Sequence, residues 1–200
     1  MKLKDRIHWI NLPCYDGDRM HDGRLNCYRS NPQQIDAMEI LLTSLTDHTQ
    51  ASVSVMSMLR THHEVMLSRL QSTSRLAEAG RLAGVSFCYA GGTCDSADTL
   101  IVLPVMATGT QYEPLINEIR DRSADLFDVL EQQEFERVIV LGEKVAWLSI
   151  GGFFARRLAE IPSTDYPISE RYFKHDILEA VDELFGDGRR TSHCRGGPIR

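Results

Sequence analysis

Two short runs constrain this chain more than anything else in it. Thr99-Leu-Ile-Val-Leu103 and Arg137-Val-Ile-Val-Leu-Gly142 are almost unbroken stretches of apolar residues, mostly branched. A strand with one wet face alternates apolar and polar side chains, whereas a strand apolar throughout is covered on both faces, as in a parallel sheet wrapped by helices. Around these runs the apolar residues recur at helical spacing. Ile35, Met38, Leu41, Leu42 and Leu45 predict a helix to about Asp47. It opens at Asn31-Pro32, a capping side chain followed by proline at the first helical position. Leu115, Ile119, Leu126 and Leu130 line one stripe between Glu113 and Gln133. A helix from about Glu143 to Ala159 follows the second run directly, and a last one spans Ser169 to Phe185, stopped by Gly186. Buried strands alternating with helices predict an α/β fold, a three-layer α/β/α sandwich with a mainly parallel central sheet.

The rest of the chain fills in this order. Ile7 to Ile10 reads as a short strand ending at the Pro13 breaker, and Cys14 to Asn31 as a long loop rich in Gly, Asp, Arg and Asn. Residues 52–83 fit one or two further helices ending near Gly84, and Val85 to Tyr89 fits a strand followed by a small-residue loop. Pro162 to Pro167 reads as a loop. Residues 1–186 are expected to form one domain, and residues 187–200, basic and without apolar period, a disordered tail.

With 200 residues, 42% hydrophobic and 25% charged, the composition is that of an ordinary soluble domain. No apolar stretch is long enough to span a bilayer, and Met1 to Ile7 lacks the apolar core of a signal peptide. The expected address is the cytoplasm, with no membrane partner. Five cysteines at irregular spacings, without a Cys-x-x-Cys pair, predict neither a disulfide framework nor a zinc ribbon.

In open parallel sheets ligands bind beyond the carboxyl ends of the strands. Three loops qualify on the sequence: those after Ile10, after Leu103 and around Pro162. The first continues Asn11-Leu-Pro-Cys-Tyr15 and then His21-Asp-Gly-Arg-Leu-Asn-Cys-Tyr28. From Asp98 to Phe185 the order is an apolar strand, a Pro-containing loop, the Pro-x-x-x-Glu-Ile cadence of Pro114 to Ile119, a Val-Ile-Val-Leu-Gly strand, a helix opening with Ala146, the Pro162-Ser163 loop and a terminal helix. This order resembles the uracil-DNA glycosylase superfamily. The likeness places Asn11 to Tyr15 at the family's water-activating motif. It departs from the family in two places. Ile161 stands where many members carry a histidine before Pro-Ser, and Leu103-Pro104 stands where a polar residue usually reads the base.

The resemblance implies a DNA base glycosylase, and the two departures imply a specificity other than uracil. Such an enzyme flips a nucleotide and hydrolyses its N-glycosidic bond without metal or cofactor. Asn11 is the expected water-orienting residue, with Asp16 as the carboxylate alternative. Tyr28, then Tyr15, are candidates for stacking on the base. Ser163, Thr164, Tyr166 and Arg24 are the expected DNA contacts. Small-residue loops at 90–92 and 107–109 suggest room for an enlarged base. The specific expectation is a glucosylated hydroxymethylcytosine of phage DNA, hence anti-phage defence, with DNA as partner and no obligatory protein partner.

Two other classes compete. Asp16, Asp18, His21 and Asp22 crowd one loop and suit a metal-dependent phosphoester hydrolase. The alternative is a catalytically inactive α/β protein that binds nucleic acid or nucleotide. The formal charge of −6 argues against a uniformly basic DNA-binding surface. Residues 113–136, however, alone carry a net −6, while residues 1–30 carry +2. The acidity therefore belongs to one helix.

Overall fold

The computed structural model describes residues 7–12, 32–48, 52–73, 82, 84–104 and 113–185. Six strands are found there: β1 Ile7–Asn11, β2 Val53–Ser57, β3 Val85–Tyr89, β4 Thr99–Leu103, β5 Arg137–Leu141 and β6 Thr164–Pro167. They form one sheet in the order β3-β2-β4-β5-β1-β6, and every pairing is parallel. The helices are α1 Pro32–His48, α2 Arg60–Thr73, α3 Glu113–Gln132, α4 Lys144–Ser149, α5 Phe153–Glu160 and α6 Phe173–Phe185. The α/β sandwich expected from the two apolar runs is what forms.

The period-two alternation of each strand divides the core into two layers. Ile7 and Trp9 of β1, Leu100 and Val102 of β4, and Val138 and Val140 of β5 point to a first face covered by α3, α4 and α5. Ile10, Val53, Val55, Ile101, Leu103, Ile139 and Leu141 point to a second face covered by α1, α2 and α6. β4 and β5 supply buried side chains to both layers, which explains their continuous apolar character.

Four expectations are corrected. Residues 52–83 are not purely helical: Val53–Ser57 is a central strand, fully buried, and only Arg60–Thr73 is helix. Its polar residues are satisfied internally, Ser54 Oγ donating to Asp95 O at 2.9 Å and Ser57 Oγ to Leu59 O at 3.0 Å. The segment near Pro162 is not all loop, because Thr164–Pro167 adds an edge strand beside β1. The single helix expected over 143–159 is two, broken at Gly151 and Gly152, both with positive φ. Finally, Cys88 and Cys94 are bonded, with Cα atoms 5.3 Å apart. The fold makes this pair by carrying the chain from β3 over the first face, where both sulfurs are buried. The tail at 187–200 lies outside the described residues.

Candidate functional site at the ends of β1 and β5

Adjacent strands whose chains depart to opposite faces leave a crevice at their carboxyl ends. Two pairs whose strands both lead into helices do so. β1 leads into α1 on the second face while its neighbour β5 leads into α4 on the first. β2 likewise leads into α2 on the second face while β4 leads into α3 on the first.

The β2/β4 end is packed shut. Ser57 and His62 are both fully buried, with Ser57 Oγ 3.2 Å from His62 Nδ1, and Met58 N donates to Leu103 O at 3.1 Å. His62 and His63 sit in the first turn of α2 and meet different surroundings. The His63 ring lies 5.7 Å from that of Tyr89, and burial holds its pKa below the usual imidazole value.

The β1/β5 end carries a polar side chain at the strand terminus. Asn11 closes β1 and is half-buried. Its Oδ1 accepts a hydrogen bond from the backbone N–H of Lys144 at 3.1 Å. That donor is one of the orphan N–H groups at the start of a helix. The residue before it, Glu143, makes no side-chain cap, so a strand 133 positions earlier in sequence supplies the acceptor. Gly142 fits here because a Cβ would lie 2.6 Å from Pro104 Cγ and 3.6 Å from Gln34 Nε2. The first turn of α1 and the end of β4 thereby close on the end of β5.

Lys144 also reaches along β6. Its ammonium donates to Ser163 Oγ at 2.7 Å and lies 3.4 Å from Asp165 Oδ2, while Ser163 Oγ donates to Asp165 Oδ1 at 3.1 Å. Lys144 therefore ties together the two segments that the sequence singled out at opposite ends of the chain. Nothing in the residue types marks it in advance. The available signal was its position, first in a helix that leaves the clearest buried strand without a loop.

The structure does not gather all the expected residues at one mouth. α5 returns the chain to the amino edge of the sheet, so Ser163 enters β6 there, and the Pro162-Ser163 loop is not a third carboxyl-edge loop as expected. Thr164 pairs with His8, three residues upstream of Asn11, and is exposed. Tyr166 pairs with Ile10 and packs on the second-face core, its ring 6.4 Å from that of His8. Burial raises the Tyr166 pKa, with Glu183 adding to the effect. Tyr15, Asp16, Arg24 and Tyr28 lie outside the described residues, as do Asp18, His21 and Asp22.

Among the described residues one His and acid trio, His175, Asp176 and Glu179 on α6, brings ligand atoms within 4.8 Å of one another. Its Asp176 carboxylate already accepts from Ser169 N at 2.9 Å and Ser169 Oγ at 2.8 Å. No described helix is long and apolar enough to cross a membrane. No family model and no curated protein matches the chain.

Proposed function

We propose that the chain is a DNA base glycosylase working from the crevice between β1 and β5. The observation that carries this reading is the fixed amide of Asn11 at a carboxyl-edge switch point. An amide oxygen has two lone pairs. One receives the Lys144 N–H, which holds the side chain in a single orientation, and the second, which takes no partner among the described residues, is the one proposed to orient a water.

In such a reaction the C1′–N bond breaks with its electron pair leaving on the base, and the water oxygen adds to the cationic sugar. The proton released by that water passes to solvent, because an amide is not a base at neutral pH. Asp16 is the carboxylate that would take it instead. Positioning of this kind is worth on the order of 10²- to 10⁴-fold in rate when a true base is involved.

Leu103-Pro104 at the neighbouring strand end, and Ile161 in place of a histidine, favour a base other than uracil. A modified pyrimidine such as glucosylated hydroxymethylcytosine of phage DNA fits this reading and carries with it a role in anti-phage defence. The DNA contact expected of Ser163 is not part of the proposal, since its hydroxyl is engaged by Lys144 and Asp165. That same engagement favours a second reading, an inactive α/β protein that binds nucleic acid or nucleotide.

Incubation of the protein with uracil-containing and modified phage DNA, followed by hot alkali to cut at abasic sites, separates the two. Scission of the modified DNA alone is expected. Binding with every substrate left intact supports the second reading and sinks the first.

A further inference from the structure

The α4–α5 hairpin is built rigidly and then left with apolar side chains in water. Val145, Leu148 and Phe153 are 71%, 43% and 70% exposed, and they are three of the six large apolar side chains exposed among the described residues. Val145 and Leu148 lie one turn apart on α4. Phe153 opens α5, and with Arg156, Arg157 and Glu160 it repeats at i, i+3, i+4 and i+7, the spacing of one helix face. All four are exposed and line a groove of about 600 Å³.

The mounting of this face is fixed from beneath. Trp147 Nε1 donates to Ala155 O at 2.7 Å, which locks the two helices together inside the core. Arg120 Nε donates to Ile150 O at 2.7 Å at the end of α4. Gly152 turns the chain at φ +87°, and a Cβ there would lie 2.7 Å from Arg120 Cγ. The Phe153 ring rests edge-on against Phe154 with centroids 5.2 Å apart, and Phe154 is packed on the core. An aromatic anchor held in one place loses little entropy when it is covered, and aromatic and Arg side chains are the commonest energetic centres of protein interfaces.

We propose that this face pairs with itself in a second copy of the chain, giving a twofold dimer through antiparallel α5 helices. The charges argue for a second copy. A twofold axis near residue 158 sets Arg156 of each chain opposite Glu160 of the other, making two ion pairs from one sequence. The same axis carries Phe153 past the end of the opposing α5, onto the exposed Pro162 and half-buried Ile161 of the second copy. Arg157 is already occupied within its own chain, over the Phe127 ring at 5.4 Å and 3.9 Å from Glu131. Arg156 has no ion-pair partner among the described residues. A nucleic acid strand suits the face less well, because Glu160 lies in the groove and the acidic α3 flanks it.

Sedimentation equilibrium of the purified full chain from about 1 to 100 μM, the range of a modest interface, tests the proposal. The expected result is a mass of two chains at the upper concentrations. Phe153→Asp and Arg156→Glu should each return the mass of one chain, with a melting temperature equal to that of the wild type at a concentration where the wild type too is monomeric. Arg156→Glu combined with Glu160→Arg should restore the dimer. A wild-type monomer throughout, a dimer indifferent to Phe153→Asp, or a wild-type monomer that binds single-stranded DNA through Phe153 would each overturn it.

Discussion

The Asn11 side chain caps a helix that begins 133 residues later, its Oδ1 accepting the Lys144 N–H at 3.1 Å. The bond joins the end of β1 to the start of α4, the helix that follows β5. Asn11→Ala should cost about 1 kcal/mol, the usual loss when a helix N–H is left without its cap. Asn11→Asp keeps an acceptor and should cost less. Urea unfolding of the three proteins checks the order, and equal stability of wild type and Asn11→Ala would mean that the cap contributes nothing.

Gly142→Ala places a methyl group 2.6 Å from Pro104 Cγ, a contact that neither backbone-bound ring nor strand end can relieve without movement. The expected loss is about 1–3 kcal/mol, the range for overpacking a tight core. Thermal melting of this variant against Gly84→Ala is the control. Gly84 has positive φ but nothing within 4 Å of a Cβ, so it suffers backbone strain alone.

Stability should fall on mild acidification. Burial, helped by the nearby Arg137 guanidinium, holds the His8 pKa below its usual value, and burial does the same for His63. Both rings are therefore favoured neutral in the fold, while the unfolded chain takes up protons at about pH 6.5. Below that pH the unfolded state binds more protons than the folded one, so stability declines as pH falls until the folded rings titrate too. Replacing both histidines with glutamine should flatten the slope of urea midpoint against pH below about 6.5. An unchanged slope would show that neither ring is responsible.

Chelation separates the chemistry proposed for the crevice from its metal-dependent rival. A glycosylase of the proposed kind keeps its activity in EDTA. Activity lost to EDTA and regained with magnesium would move the chemistry to Asp16, Asp18, His21 and Asp22.

The parts of this fold that show in the sequence are those where one physical demand dominates. β4 and β5 are buried on both faces, so their apolar runs have no other reading. β2 is just as buried, yet Ser54 and Ser57 interrupt it: the Ser54 hydroxyl finds its acceptor, Asp95 O, only once the 94–98 segment is in place, while Ser57 bonds locally to Leu59 O. β6 is an edge strand whose Thr164 and Asp165 remain in solvent and whose last residue is Pro167, so it reads as a turn. The break between α4 and α5 depends on Arg120, which fills the space beside Gly152 from another helix. The place of Asn11 at the carboxyl end of a strand was legible, because Pro13 breaks the chain just beyond it. Lys144 was not, because its role depends on Ser163 and Asp165, which only parallel pairing of β6 with β1 brings near. The Cys88–Cys94 pair was hidden for the same reason: spacing alone does not say that a chain turns back over a sheet face.

The most direct test of the central claim is release of a free base. Modified phage DNA is incubated with wild-type protein and with a folded Asn11→Ala variant, and the filtrate is assayed by mass spectrometry. The account predicts a free modified pyrimidine and matching abasic sites from the wild type, and neither from Asn11→Ala although it still binds the DNA. Release undiminished by Asn11→Ala, or no released base from the wild type, would contradict it.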